Sequence, residues 1–305
     1  MELADFEFKQ ERKLSEFVQD FINLLKVIFP HLVKTLFRLL AFPLAGMLLI
    51  GFYISTQINL NVNYSSGEVA KVVFSFLIAG LSLFIITMIA FAFSIEYFVL
   101  LRERKSTDFT HTEVFDAFKA NIGKYFKFLF AAFIVGILAT IPIAFGMMLS
   151  MFIPLVGSFA AGILIAIVGL WFFTSFMLYR EGYEDLTDAF TSGFSILKKK
   201  IFEYGIASYI VTFIFQSLLT LMTIVPAIIF FFIGYNYVGF NNDFFNTFFG
   251  KFLVTSGSIL LTVLFVTYYM LAVISYGIIY ESAKELKFGE NIFSRIQRLG
   301  RRVDD

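Results

Sequence analysis

Residues 72–100 read VVFSFLIAGLSLFIITMIAFAFSIEYFVL, and Glu96 is the one charged residue among them. A helix needs about 20 predominantly apolar residues to cross a hydrocarbon core of about 30 Å. Lipid cannot satisfy open backbone groups, and the alternation that a membrane β-barrel requires is absent from this chain. Similar apolar runs occupy residues 35–57, 125–150, 156–179, 204–233 and 252–280. The sequence therefore predicts an all-α integral membrane bundle of six transmembrane helices.

The composition of the 305 residues excludes an ordinary soluble domain. Hydrophobic residues make up 59% of the chain and charged residues 15%, whereas soluble domains carry about 25% charged residues. The absence of cysteine excludes disulfides, thiolate metal sites and cysteine nucleophiles. The net charge of +1 gives no indication of a nucleic-acid partner. Because the polar, acidic start lacks an apolar core, no cleavable signal peptide is expected.

The lysines and arginines predict the orientation of the six spans. Lys71 and Lys251 are the exceptions among 24 such residues, and the others fall within 1–38, 102–127, 180–200 or 284–302. Cytoplasmic loops carry an excess of basic residues, so both termini are expected in the cytoplasm. We expect a bacterial inner-membrane protein with a six-span domain over 35–281. Cytoplasmic segments at 1–34 and 282–305 would flank that domain.

Amphipathic segments recur on the side that is predicted to be cytoplasmic. Their apolar residues are three or four positions apart, which places them on one helical stripe. Three stripes consist of Leu14, Phe17, Val18, Phe21, Leu25 and Ile28; of Phe115, Phe118, Ile122 and Phe126; and of Leu186, Phe190, Phe194, Leu197 and Ile201. A shorter stripe in the tail consists of Ile292, Ile296 and Leu299.

These stripes predict interfacial helices within 1–34, near 112–124 and near 184–200. Thr110 and Glu113 fit a capping box that would begin the second helix. The basic residues of these segments are expected to face anionic lipids of the cytoplasmic leaflet.

The order of the elements favours three copies of one unit. Each unit has an amphipathic helix followed by two spans, and the units fill 10–101, 110–179 and 183–281. The triplet Asp-Ala-Phe occurs at 116–118 and again at 188–190. The alternative is that any six-span protein carries interfacial helices on its basic side.

The stretch YREGYEDLTDAFTSGFSILKKK, residues 179–200, combines a Glu-containing span exit, an Ala-Phe amphipathic helix and late lysines. It resembles the bacterial membrane domain that is fused to some glycerophosphodiester phosphodiesterases, and the stand-alone relatives of that domain. The likeness covers about 175–220 and, more loosely, 96–135. It implies a multi-span helical assembly without an assigned reaction, and this chain has no room for the soluble phosphodiesterase domain.

No motif for catalysis or nucleotide binding is present in the sequence. Neither histidine, His31 or His111, has a carboxylate or a second histidine at metal-ligand spacing. No GxSxG, P-loop or GxGxxG motif occurs. We therefore expect interfacial histidines, no cofactor and no enzymatic activity.

Polar residues in the spans are the remaining site candidates, because an ionisable group costs about 2.5–3.5 kcal/mol at the membrane centre. The candidates are carboxylates near the cytoplasmic span ends and polar groups within the spans: Glu96, Glu203, Glu281, Gln216, Tyr268 and Tyr276. One interpretation is a site that binds a cation or relays protons. The other is that the carboxylates pair with nearby Lys or Arg, or reach the headgroups, while the Gln bonds between helices.

Small residues and aromatic residues mark two further features. Ser158, Gly162 and Ala166 form a small-xxx-small stripe, which predicts a close helix contact within the fold or between subunits. The outer connection over 235–250 is rich in Phe and nearly uncharged, which is typical of an aromatic belt and also of a cap over a cavity.

Two functional classes remain open at this stage. The first is a non-enzymatic membrane component that scaffolds or assembles with other membrane proteins, with itself or with lipids. The alternative is a small transporter or lipid-handling permease. A continuous polar cavity would favour transport, whereas a sealed interior packed with Phe would favour a scaffold.

Overall fold

A computed structural model describes residues 6–57, 66–152, 156–233 and 246–289, together with positions 235, 239 and 244. Helices dominate this part of the chain, which confirms the predicted all-α class. They are α1 (Leu14–Gln57), α2 (Ser66–Arg104), α3 (His111–Met151), α4 (Gly157–Glu181), α5 (Asp188–Leu197), α6 (Ile201–Ile233) and α7 (Phe248–Phe288). A 3₁₀ turn at Lys198–Lys200 joins α5 to α6.

Within the described residues, six helical stretches are long and apolar enough to cross a membrane, which agrees with the predicted number. One of them combines α5 and α6, and the others are α1, α2, α3, α4 and α7. The helices α1, α2, α3 and α7 have 39 to 44 residues. At 1.5 Å per residue they are about 59–66 Å long, twice the thickness of a hydrocarbon core. The structure is therefore that of a multi-pass membrane protein. A large part of each of these four helices extends beyond the hydrocarbon core of the bilayer.

The amphipathic segments are continuous with the spans that follow them. Both α1 and α3 run from the segment that was predicted to be amphipathic into the apolar run without a break. The capping box is confirmed, because the Thr110 side chain accepts from the Glu113 N–H and the Glu113 carboxylate accepts from the Thr110 N–H at 2.7 Å. Pro142 lies inside the unbroken α3.

The chain divides into two compact units. The first unit comprises Met1–Leu32, Ser94–Phe213 and Leu271–Asp305, and the second comprises Val33–Phe93 and Ile214–Met270. The first unit contains α3, α4 and α5 whole, together with the charged ends of α2 and α7. It also contains the side-chain cluster described below.

Two glycines bring α5 back against α4 in the first unit. Gly182 ends α4 in a left-handed conformation with φ of 79°, and its N–H bonds back into the last turn of that helix. A Cβ atom at Gly193 would lie 2.4 Å from the Ser175 hydroxyl oxygen, so glycine permits the close approach of the two helices. Trp171 of α4 then donates from Nε1 to the Phe190 carbonyl of α5 at 2.8 Å.

The three apolar stripes differ in how far they are covered. Phe17, Phe21 and Ile28 of the first stripe are buried, and so are Phe190 and Leu197 of the third. By contrast, three residues of the second stripe are exposed: Phe115, Ile122 and Phe126. The periodicity therefore did not show which stripe the protein covers, and the amphipathic character of these segments stays a prediction.

Two predictions fall outside the described residues. These are the tail stripe at 292, 296 and 299, and most of the Phe-rich outer connection. They stay predictions from the sequence.

Candidate functional site

The C-terminal ends of α2, α4 and α7 meet through charged side chains, which we call the exit cluster. Its three carboxylates and three basic groups balance in formal charge. Both Glu96 and Glu281 are fully buried, and the other members have side chains that are at most 12% exposed. The members are Glu96, Arg102, Arg180, Glu181, Glu281 and Lys284.

The first part of the exit cluster is a two-pronged ion pair between Glu96 and Arg180. Arg180 donates from Nε to Glu96 Oε1 at 3.0 Å and from Nη2 to Glu96 Oε2. Tyr125 of α3 also donates from its hydroxyl to Glu96 Oε1 at 2.8 Å. Lys124 Nζ donates to the Arg180 carbonyl at 2.6 Å. Both carboxylate oxygens are therefore engaged, and the pair links α2, α3 and α4.

The second part of the exit cluster is centred on Arg102. Its Nη1 donates to Glu181 Oε1 at 2.5 Å and to Glu281 Oε1. Glu181 Oε2 accepts from the Tyr280 hydroxyl at 2.8 Å and from Lys284 Nζ at 3.1 Å. Glu281 Oε2 is buried and accepts no hydrogen bond within the described part of the chain. Glu281 is therefore less completely satisfied than Glu96 or Glu181.

The comparisons with known proteins do not identify this cluster. Comparisons of the chain with protein-family models, with curated proteins and with solved structures return no match. The resemblance to the membrane domain of some phosphodiesterases stays a prediction, and the chemistry of the cluster must be interpreted from its own residues.

Glycines allow the three helix ends to approach closely. A Cβ atom at Gly277 of α7 would lie 2.6 Å from the Phe98 ring of α2. A Cβ atom at Gly169 of α4 would lie 2.8 Å from the hydroxyl oxygen of Tyr276 in α7. The predicted site residue Tyr276 is therefore a helix contact in the first unit.

The remaining site candidates are not members of the exit cluster. Glu203 lies on α6, is exposed, and is 4.0 Å from Lys200. Gln216 and Tyr268 belong to the second unit, where Tyr268 is half-buried. Gln216 is exposed. The expectation that Gln216 hydrogen-bonds between helices stays a prediction.

Sequence reasoning missed most members of the exit cluster. Arg180 lies 84 positions from Glu96, and Glu281 lies 179 positions from Arg102. Such pairs depend on helix arrangement rather than on local pattern. One signal was available, since every charged residue of the cluster lies within four positions of the end of the second, fourth or sixth apolar run.

The small-residue stripe on α4 is only partly a helix contact. A Cβ atom at Gly162 would lie 2.2 Å from the Tyr209 ring of α6, and Ala166 is buried. Ser158 is exposed. Gly162 and Ala166 therefore pack within the protein, whereas Ser158 does not.

His31 connects α1 to α2 and to the segment that precedes α3. Its Nδ1 lies 3.0 Å from the Tyr97 hydroxyl, and its Nε2 lies 3.0 Å from the Phe109 carbonyl. The same three rings contact one another. His111 begins α3 and is partly exposed. Among the described residues, no group of three His, Asp or Glu side chains is placed to hold a metal ion.

The segment before α1 folds onto the helix ends. Phe8 is buried and meets the Phe98 ring edge-on at 6.0 Å. Arg12 is also buried, donates from Nε to Asp20 at 2.9 Å, and donates from its backbone N–H to the Ser282 hydroxyl at 3.0 Å. A cavity of about 10 Å³ beside Arg12, Tyr204 and Ser282 has room for about one water molecule.

Proposed function

We propose that this protein is a non-enzymatic component of a bacterial inner membrane. It acts as a scaffold or subunit that assembles with other membrane proteins, with itself or with lipids. Both termini lie in the cytoplasm, because the basic residues are concentrated in the terminal segments and in alternate connections. The exit cluster then lies at the cytoplasmic ends of α2, α4 and α7.

The burial and pairing of Glu96 carry this proposal. A carboxylate that hands on an ion or a proton must exchange with solvent, whereas Glu96 is fully buried and both its oxygens accept hydrogen bonds. Breaking a buried ion pair by removing one partner costs about 3–5 kcal/mol. The exit cluster therefore favours one fixed arrangement of the helix ends, which suits a scaffold better than a protein that alternates between two open states.

The order of the helices supports a threefold repeat as part of this proposal. The helices α1 and α3, and α5 together with α6, each begin with an amphipathic segment and continue into a span. The helices α2, α4 and α7 each end in charged residues that enter the exit cluster. A threefold repeat would place one charged helix end in each of its three copies. It would thereby explain why three charged helix ends meet in the exit cluster. The amphipathic starts then lie at the cytoplasmic interface.

Purification in a mild detergent tests the proposed role. The native chain is isolated from cross-linked membranes, and co-purifying proteins and lipids are quantified by mass spectrometry against an untagged control. We expect a partner, or a second copy of the chain, in stoichiometric amount. A monomer that retains neither a partner nor lipid would contradict the proposal.

The unpaired Glu281 Oε2 favours a second candidate, a small transporter or lipid-handling permease. A buried carboxylate oxygen without a donor is a position at which a proton or a cation would be stabilised. Proteoliposomes that contain the wild-type chain or Glu281→Gln distinguish the candidates. Dissipation of a proton or sodium gradient by the wild type, and its loss in Glu281→Gln, would replace the scaffold with the transporter.

A further inference from the structure

Lysine and phenylalanine side chains alternate on one exposed face at the junction of α5 and α6. Lys198 lies four positions after Phe194 and four positions before Phe202, so its side chain adjoins both rings along a helical stretch that includes the 3₁₀ turn Lys198–Lys200. Phe194 is 47% exposed and Phe202 is 72% exposed. Lys198 and its neighbour Lys199 are exposed as well.

We propose that this face binds the headgroups of anionic phospholipids. We call it the Phe-Lys patch, and it consists of Phe194, Lys198, Lys199 and Phe202. The inference rests on the proposed function, because it names the chemistry of a lipid with which the scaffold assembles.

Two of the three consecutive lysines are available for a ligand. Lys200 donates to Glu11 at 2.7 Å and lies 4.0 Å from Glu203. No ion pair within the described part of the chain engages Lys198 or Lys199. Lys287 of α7 brings a further positive charge close to α5, since its Nζ lies 3.4 Å from the Ser195 hydroxyl. The junction therefore presents Lys198 and Lys199 with Lys287 close to α5, while Glu11 and Glu203 lie beside Lys200.

The exposed rings argue for a bilayer lipid rather than a soluble anion. An amphipathic helix places Phe at the boundary between headgroups and acyl chains and places Lys among the phosphates. A soluble phosphate would satisfy the lysines but would leave both rings in water. Near an anionic leaflet, each basic residue gains roughly fivefold in binding. Two lysines flanked by two Phe therefore fit an anionic phospholipid, which offers a negative headgroup and an apolar tail together.

The chain contains a natural reporter beside the patch. Trp171 is its one tryptophan. The Trp171 ring lies 6.3 Å from the Phe194 ring, and its Nε1 donates to the Phe190 carbonyl. Lipids with brominated acyl chains quench tryptophan at short range, so quenching of Trp171 measures which lipid occupies the neighbourhood of Phe194.

The test uses the full chain in proteoliposomes that mix phosphatidylglycerol with phosphatidylcholine. Either lipid is brominated at equal mole fraction, and Trp171 fluorescence reports the relative binding of the two. We expect phosphatidylglycerol to bind at least about threefold more tightly beside Trp171 in the wild type. The double variant Lys198→Gln/Lys199→Gln should abolish that preference.

Lys71→Gln/Lys251→Gln is the matched control, because it removes two charges from the opposite ends of the spans. The control should keep the preference for phosphatidylglycerol. Equal quenching by the two lipids in the wild type would overturn the inference, and so would a preference that survives in Lys198→Gln/Lys199→Gln. The absence of quenching by either lipid would place the patch away from lipid and would also overturn it. None of these outcomes depends on whether partner proteins co-purify. The quenching experiment therefore tests the lipid patch, and the purification tests the scaffold proposal independently.

Discussion

Glu96→Gln is the sharpest perturbation of the exit cluster. The substitution keeps the shape of the side chain but removes the charge that balances Arg180, whose side chain is 11% exposed. Leaving a buried charge without its partner costs about 3–5 kcal/mol. We expect a loss near the lower limit, about 3 kcal/mol, because the Gln amide oxygen can still accept one hydrogen bond.

Unfolding in mixed micelles by titration with SDS measures this loss, with Trp171 fluorescence as the signal. Glu113→Gln is the matched control, because Glu113 pairs with Arg104 on the surface, where the two side chains are 39% and 40% exposed. Gln keeps the capping box at the start of α3, so the control should change the stability far less than Glu96→Gln does.

Removing both charges separates the ion pair from simple packing. In Glu96→Leu/Arg180→Met neither charge stays buried, so most of the lost stability should return. The double variant is expected within about 1–2 kcal/mol of the wild type, the remainder reflecting the Tyr125 hydroxyl that loses its acceptor. The reasoning is refuted if Glu96→Gln unfolds like Glu113→Gln, or if the double variant is less stable than Glu96→Gln.

Two further predictions concern α5. Gly193→Ala should lower the free energy of unfolding by about 1–3 kcal/mol, because the added Cβ would meet Ser175. Gly123→Ala, which has open space around it, should not lower it. Equal melting temperatures of the two variants would contradict the close contact. Phe190→Asp should release α5, because Phe190 is buried whereas Lys199 is exposed. A protease added to inside-out vesicles should therefore cleave α5 faster in Phe190→Asp than in Lys199→Gln. Equal rates of cleavage would show that α5 is a solvated connector.

Hydropathy was sufficient to predict the helical spans, since a run of about 20 apolar residues has few alternatives in a membrane protein. The capping box at Thr110 was predictable for a similar reason, because its two partners are three residues apart. Local pattern decides both features.

The exit cluster depends instead on which helices are neighbours. Glu96 was a visible candidate, but nothing near it in sequence points to Arg180, 84 positions away. Gln216 shows the same limit, because the sequence around a polar residue in a span does not indicate whether its side chain faces another helix or the outside of the protein. Gln216 is exposed in the structure. The second amphipathic stripe, with Phe126 exposed, was also indistinguishable by periodicity from the first, with Phe21 buried.

Cysteine labelling tests the central claim most directly, namely that six spans hold the exit cluster at the cytoplasmic side. The natural chain has no cysteine, so single substitutions give an unambiguous signal. In intact cells, an impermeant thiol reagent should label Asn63→Cys and Asn242→Cys but not Ser106→Cys or Ser192→Cys. In inside-out vesicles the pattern should reverse. Labelling of Ser106→Cys and Ser192→Cys in intact cells would contradict the account, because it would place the connections beside the exit cluster outside the cell.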